Sequence, residues 1–412
     1  MSSSFRLAAA GALLMLGATT ARAATTARWA FSFATSRAGT IEVPTDHGYS
    51  PGGFGFEPTS RPGDLLFSAA VPEGTYRVTL TFAGKRGTLT VKAENRRLML
   101  LDAPAGSERD FLVSVRTPAL APPPKNAPGG RAVRIAPEEA QTYEWDDRLT
   151  LELLGDAEVA TVTIEPVTAP TVFLAGDSTV TDHPYEPTAA WGQMLPAMLD
   201  DQVAVANHAR SGATLKSFLT DLRLDKLLSE AKPGDWLLIQ FGHNDQKKQW
   251  PQIYADPAFT YPAYLKAYIA EARARGMVPV LVTSPERRMF QPDGTLKHTL
   301  ADYVEAMKKV AAEEHVPLID LNAASRRIYE TLGPSRAPLA FNDGGRDQTH
   351  NDNYGAWMLA RVVAAGLAAD LPKLAAHVQA PFRNFDPSKP PLPGTIAIPA
   401  SSAHSNVRPA GN

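Results

Sequence analysis

The chain has 412 residues, more than one hydrophobic core usually organises, so two folding units are expected. Hydrophobic residues at 44% and charged residues at 20% are the balance of a globular protein, and a formal net charge of -2 gives no bulk attraction to nucleic acid or an anionic membrane. With no cysteine, disulfides, a thiol nucleophile and cysteine-ligated zinc or iron–sulfur sites are excluded.

Residues 1–23 read as a cleavable leader. Arg6 supplies a short positive region, Leu7 to Leu16 is apolar, and Ala21-Arg22-Ala23 has the small-x-small form of a cleavage site. The apolar run is too short for a permanent membrane span. A protein outside the cytoplasm, secreted or periplasmic and without membrane insertion, is expected.

Residues 24–168 read as β structure. Thr75 to Phe82, Gly87 to Lys92, Arg148 to Leu154 and Val159 to Pro166 alternate polar with apolar residues. Clusters such as Gly52-Gly53-Phe54-Gly55 and Pro122-Pro123-Pro124 separate such runs. An antiparallel sandwich accommodates this pattern. Trp29, Tyr49 and Phe54 are either core aromatics or a carbohydrate-binding surface, and the core reading is the default.

From residue 169 to 380 the pattern changes. Five short apolar runs, Thr171 to Ala175, Val203 to Asn207, Trp236 to Phe241, Pro279 to Thr283 and Pro317 to Leu321, alternate with amphipathic stretches. The stretches include Ser217 to Ala231, Tyr261 to Gly276, Leu300 to His315 and Asn353 to Asp370. Such alternation predicts a five-stranded parallel sheet buried between helical layers, an α/β sandwich. Residues 381–412 are rich in Pro, Ser and Ala without periodicity and read as an extended or disordered tail.

Open parallel sheets carry their sites at the carboxyl ends of the strands. Gly176-Asp177-Ser178-Thr179 follows the first apolar run, Ser211-Gly212 lies past the second, and Gly242-His243-Asn244-Asp245 follows the third. Asp347-Gln348-Thr349-His350 precedes the last helical stretch. A serine hydroxyl becomes a useful nucleophile when an imidazole takes its proton and a carboxylate orients that imidazole. Ser178 with His350 and Asp347 fits this need, Asp347 lying about one helical turn ahead of the imidazole. The backbone N–H groups of Ser178 and Gly212 and the amide of Asn244 are candidate donors to a tetrahedral oxyanion.

The four blocks, Phe173 to Thr181, Asn207 to Gly212, Phe241 to Gln246 and Asp347 to His350, resemble those of the SGNH/GDSL hydrolases. With Trp191-Gly192-Gln193-Met194-Leu195, the match resembles rhamnogalacturonan acetylesterases and related exported carbohydrate esterases. The resemblance implies a flavodoxin-like three-layer sandwich, a catalytic triad of Ser178, Asp347 and His350, and an oxyanion hole of Ser178, Gly212 and Asn244. It also implies an acetylated polysaccharide or oligosaccharide as substrate, rhamnogalacturonan first and xylan second. The β-rich part resembles the galactose-binding-like domain that some members carry. Two positions depart from the family: Ser211 stands where many members have glycine, and Ala213 where arginine is frequent. No GxSxG elbow surrounds Ser178.

Plainer readings stand beside these. Ser178 can be a helix N-cap, Gly212 a turn glycine, and Asn244 and Asp177 loop-organising residues. His243, His183 and His208 read as structural or solvated, with His183 and His208 near the mouth of the site. His243, Asp245, Asp347 and His350 lack the spacing of a metal site, so no metal or cofactor is expected. Lys247, Lys248, Arg210 and Lys216 are solvated basic residues by default, or attract a polyuronate. A lipid or thioester hydrolase on the same fold, and a carbohydrate-binding protein with an inactive hydrolase domain, are the competing functions.

Overall fold

A computed structural model describes residues 28–33, 37–120, 130–405, 407 and 409. The expected leader and Pro122-Pro123-Pro124 lie outside the described residues.

The first part holds ten strands, of which the four alternating runs supply β5, β6, β9 and β10: β1 (Trp29–Ser32), β2 (Ile41–Glu42), β3 (Phe54–Phe56), β4 (Leu65–Ala70), β5 (Gly74–Phe82), β6 (Thr88–Ala93), β7 (Arg97–Pro104), β8 (Glu108–Val115), β9 (Arg148–Gly155) and β10 (Val159–Pro166). They make two five-stranded sheets, β2-β1-β10-β5-β8 and β3-β4-β9-β6-β7. Pairing is antiparallel except between β1 and β2. On β5, Tyr76, Val78, Leu80 and Phe82 point inward while Thr75, Arg77, Thr79 and Thr81 stay partly exposed, the period-2 signature of a one-sided strand. The core between the sheets includes Phe31, Phe67, Val78, Leu80, Val113, Leu151 and Ile164. Trp29 and Phe54 pack against this core, whereas Tyr49 does not. Trp29 meets Tyr76 edge-on, Phe54 sits between Phe31 and His47, and Tyr49 lies under the Arg148 guanidinium.

The second part holds five parallel strands, β11 (Thr171–Gly176), β12 (Ala204–Asn207), β13 (Trp236–Gln240), β14 (Val278–Val282) and β15 (Leu318–Ile319), in the order β12-β11-β13-β14-β15. The helices are α1 (Trp191–Met194), α2 (Leu215–Thr220), α3 (Arg223–Glu230), α4 (Thr260–Ala274), α5 (Ala301–Glu314), α6 (Leu321–Arg336), α7 (Asn353–Asp370) and α8 (Pro372–Ala375). Successive residues of β11 feed opposite cores. Val172 and Leu174 join Trp191, Ile328, Met358 and Leu359 on the α1, α6 and α7 side, while Phe173 and Ala175 join Phe218, Leu227, Leu265 and Met307 on the α2 to α5 side. Both faces are covered, which is why these strands read as continuous apolar runs. This is the three-layer α/β sandwich that the alternation predicts, preceded by the β sandwich.

The expected loose tail is irregular but docked. Ser401 is buried, its hydroxyl bonded to Lys92, Arg96 and Glu152 and its N–H donating to Glu186. The carbonyl of Pro399 accepts from Lys92 Nζ at 2.7 Å. Composition alone does not register polar groups on other elements that fix a proline-rich segment.

Candidate active site

The order of the parallel strands reverses direction at β11, and the cleft outside the strand ends at such a point is where open sheets hold ligands. In register, Gly176 pairs with Gln240, so Ser178 and Asn244 leave neighbouring strand ends side by side. Asn207 ends β12 beside Leu174 and feeds the turn that carries Gly212.

Ser178 Oγ lies 2.8 Å from His350 Nε2, and His350 Nδ1 lies 2.9 Å from Asp347 Oδ2. A carboxylate only accepts, so Nδ1 carries the proton and Nε2 is left to accept from the Ser178 hydroxyl. Asp347 Oδ1 accepts from the backbone N–H groups of Thr349 and His350 at 2.8 and 3.0 Å. The contact expected from a helical turn is therefore made by an Asx-type turn ahead of α7. Burial alone would raise the Asp347 carboxyl, but the hydrogen bond and charge of His350, with these two N–H groups, hold it at about 2. The carboxylate stays ionised and keeps the imidazole oriented. Arg288 closes the loop, its N–H on Gln348 O at 2.8 Å and its guanidinium on the carbonyls of Gly345 and Asp347.

Gly212 has φ +78°, a left-handed conformation that glycine adopts without penalty. Asn244 Nδ2 donates one hydrogen to Ala213 O at 3.1 Å, which holds its amide against this turn. Among the described residues, the N–H groups of Ser178 and Gly212 have no hydrogen-bond partner. These N–H groups and the second hydrogen of the Asn244 amide thus have donor capacity to spare.

The residues around Ser178 are tied from several sides. Asp177 Oδ1 accepts from the N–H and hydroxyl of Thr179, and its Oδ2 faces His243 Nδ1 at 3.6 Å. Both stay loop-organising groups. His183 Nε2 donates to Ser178 O at 2.7 Å, and burial, with the charges of His350 and Arg96, keeps this imidazole neutral by lowering it to about 3. His208 does not lie at the mouth as expected: it is fully buried, faces Glu230 at 3.4 Å and packs on Trp145. Two of the basic residues hold the fold rather than a ligand. Arg210 pairs with Asp221 at 2.9 Å, and Lys216 Nζ donates to the carbonyls of Pro251 and Tyr254.

The residues that sequence reasoning missed come from the β sandwich. The turn between β6 and β7 carries Glu94 and Arg96, both with positive φ, on either side of Asn95. Arg96, almost fully buried, donates to the carbonyls of His183 and Thr188 at 3.1 and 2.9 Å and pairs with Glu186 at 2.6 Å. Arg97 pairs with Asp182 at 2.8 Å. Gln193 Nε2 links the two sides, donating to the carbonyls of both Asn95 and His183. Gly192 lets α1 approach this loop, since a Cβ there would lie 2.2 Å from Val180 O. The run that becomes β6 is legible in the sequence, but nothing local says where the turn after it docks.

A model of the GDSL-like Lipase/Acylhydrolase family matches residues 174–355, which contain Ser178, Gly212, Asn244, Asp347 and His350. The chain is 42% identical over 209 residues to rhamnogalacturonan acetylesterase RhgT of Bacillus subtilis (strain 168), covering 48% of this chain and 88% of that protein. The chain belongs to the GDSL-like lipase/acylhydrolase family. A second member from the same organism, the probable rhamnogalacturonan acetylesterase YesY, is 39% identical over 199 residues, 48% of this chain and 91% of its own. The similarity to the uncharacterized esterase YxiM, also of Bacillus subtilis (strain 168), is lower at 28% but runs over 307 residues, 73% of each chain. The match to the GDSL model begins within β11, so it leaves out the hairpin that braces the loop after Ser178.

Proposed function

We propose that this chain is an exported serine esterase that removes acetyl groups from plant cell-wall polysaccharide, with rhamnogalacturonan as its first substrate. The carrying observation is the hydrogen-bonded series Ser178–His350–Asp347 at 2.8 and 2.9 Å. The names of its relatives RhgT and YesY support an acetylated carbohydrate as substrate, and residues 6–23 support export.

In this reading Ser178 attacks the acetyl carbonyl while His350 Nε2 takes the hydroxyl proton. Asp347 stabilises the imidazolium that forms and remains ionised throughout. The N–H groups of Ser178 and Gly212 and the amide of Asn244 receive the oxyanion, placed in advance so that no reorganisation is needed at the transition state. The imidazolium then protonates the departing sugar hydroxyl, leaving an acetyl ester on Ser178. Water, deprotonated by His350, releases acetate by the reverse path.

Acetate release from acetylated rhamnogalacturonan, compared between wild type and Ser178→Ala, tests the reading. Release by wild type and none by the variant is the expected outcome. Equal release by both would remove Ser178 from the chemistry. Cleavage of an aryl acetate without release from the polymer would leave the mechanism and refute the substrate.

A further inference from the structure

A groove of about 470 Å³ opens between the β sandwich and the α/β unit. One wall is formed by Asn95 at the hairpin tip and by the segment containing Glu138 and Glu139, the other by His183, Tyr185 and Arg210, and Ser405, Val407 and Pro409 of the tail also line it. It adjoins the reaction centre without containing it. His183 Nε2 is bonded to Ser178 O at 2.7 Å, and Ser211, also in the lining, immediately precedes Gly212. Ser178, His350 and Asn244 are not among its lining residues. Whatever fills the groove is therefore the part of a substrate beside the ester, not the acyl group.

The volume is that of a small-ligand site. Tyr185 stands 41% exposed and offers an aromatic face, suited to the C–H side of a pyranose ring. Glu138, exposed, offers carboxylate oxygens that accept from sugar hydroxyls. The guanidinium of Arg210 is engaged by Asp221 at 2.9 Å and Glu139 at 3.5 Å. Among the described lining residues, Arg210 is the only cation, so a uronate carboxylate entering here would meet Glu138 without a counter-ion of its own.

We propose that this groove is a subsite for an uncharged sugar unit adjacent to the acylated one, with the β sandwich supplying one wall. The proposal deepens the carbohydrate-esterase reading and rests on it for the identity of the neighbouring unit. It gives the β sandwich a part in substrate recognition, although Trp29 and Phe54 are taken up by packing and Tyr49 lies under Arg148.

Binding of unacetylated sugars requires no turnover and separates the two readings. Calorimetric titration of the full chain with xylotetraose, galactotetraose and rhamnose, and with a tetramer of galacturonate, is the experiment. At least one neutral probe should bind, more tightly than the galacturonate tetramer. Tyr185→Ala should weaken that binding about tenfold, the scale of one lost aromatic contact, with an unchanged melting temperature as the control for folding. Glu138→Lys should shift the preference towards the galacturonate tetramer. No heat with any neutral probe, an affinity indifferent to Tyr185→Ala, or tighter binding of the galacturonate tetramer by wild type would each overturn the subsite. Binding with no acetate release from any acetylated polymer would refute the esterase and spare the groove. Release without binding would do the reverse.

Discussion

Asp245 and Asn244 are chain neighbours with opposite tasks. Asn244 turns its amide towards the Gly212 turn, while Asp245 is fully buried and accepts from the N–H of Leu215 at 3.0 Å, fixing the start of α2. Burial pushes the Asp245 carboxyl up to about 8, so the native state holds a proton that the unfolded chain gives up near the ordinary aspartate value. A raised native pKa means that this contribution is complete below about pH 4 and is lost as the pH rises towards 8. Asp245→Asn does not titrate. Its stability relative to wild type should therefore improve between pH 4 and 8 by about 1 kcal/mol per pH unit. A difference in melting temperature that is flat with pH would show that Asp245 is ionised in the native protein. For Asn244→Ala, kcat on an acetyl ester should fall by about two to three orders of magnitude with the fold retained. An unchanged kcat would take Asn244 out of the oxyanion hole. The roles of these two neighbours were unequally legible. Asn244 sits in a block whose chemistry is local, whereas the depth at which Asp245 is buried depends on α2 and on Tyr303, whose hydroxyl bonds to its carbonyl.

At the scale of elements, the β6–β7 hairpin is a part of the β sandwich that docks on the loop following Ser178. Its two left-handed residues turn the chain so that Arg96 can fork between the carbonyls of His183 and Thr188 and the carboxylate of Glu186. A lysine keeps the charge but has no planar fork to satisfy these acceptors together. Arg96→Lys should therefore loosen the loop that holds Ser178 through His183 and lower kcat by up to about a hundredfold, the scale of a small misplacement of reacting groups. A wild-type kcat would mean that Arg97–Asp182 and Gln193 suffice to position the loop. The first strand of this hairpin is legible as an alternating run, while β7 is not. The docking of its tip was not, because a Glu-Asn-Arg-Arg turn has the composition of an ordinary solvated loop.

Across the whole molecule, the contact between the β sandwich and the α/β unit combines apolar packing, with Leu98 buried in the α/β core, with buried or half-buried ion pairs. Arg97–Asp182 at 2.8 Å, Lys226–Glu73 at 2.6 Å, Arg223–Glu139 at 2.5 Å and Arg77–Asp201 at 2.7 Å all cross it. Separating the two units would break these pairs together and expose their members to water, with Lys226 keeping only Glu230 of its own helix. The chain is therefore expected to unfold in one calorimetric transition, with equal calorimetric and van't Hoff enthalpies. Two resolved transitions would show that the units fold independently and that these pairs contribute little. The docked tail adds to the same interface, since Ser401 bridges Lys92 and Arg96 of the β sandwich to Glu186, which belongs to the α/β unit.

What the sequence determined by itself was whatever is encoded within a few residues or a fixed period. Alternation marked β5, β6, β9 and β10 of the sandwich, continuous apolar runs marked the buried parallel sheet, and four short blocks named Ser178, Gly212, Asn244, Asp347 and His350. Tertiary structure alone decided how charged residues are used. Arg96, Arg97, Arg223 and Lys226 look like surface residues in a sequence and are buried in the fold. Their partners lie far along the chain, and no local pattern distinguishes a paired buried charge from a solvated one. The groove beside Ser178 belongs to the same class: its walls come from segments that meet only when the two units dock, so its shape has no signature in either segment.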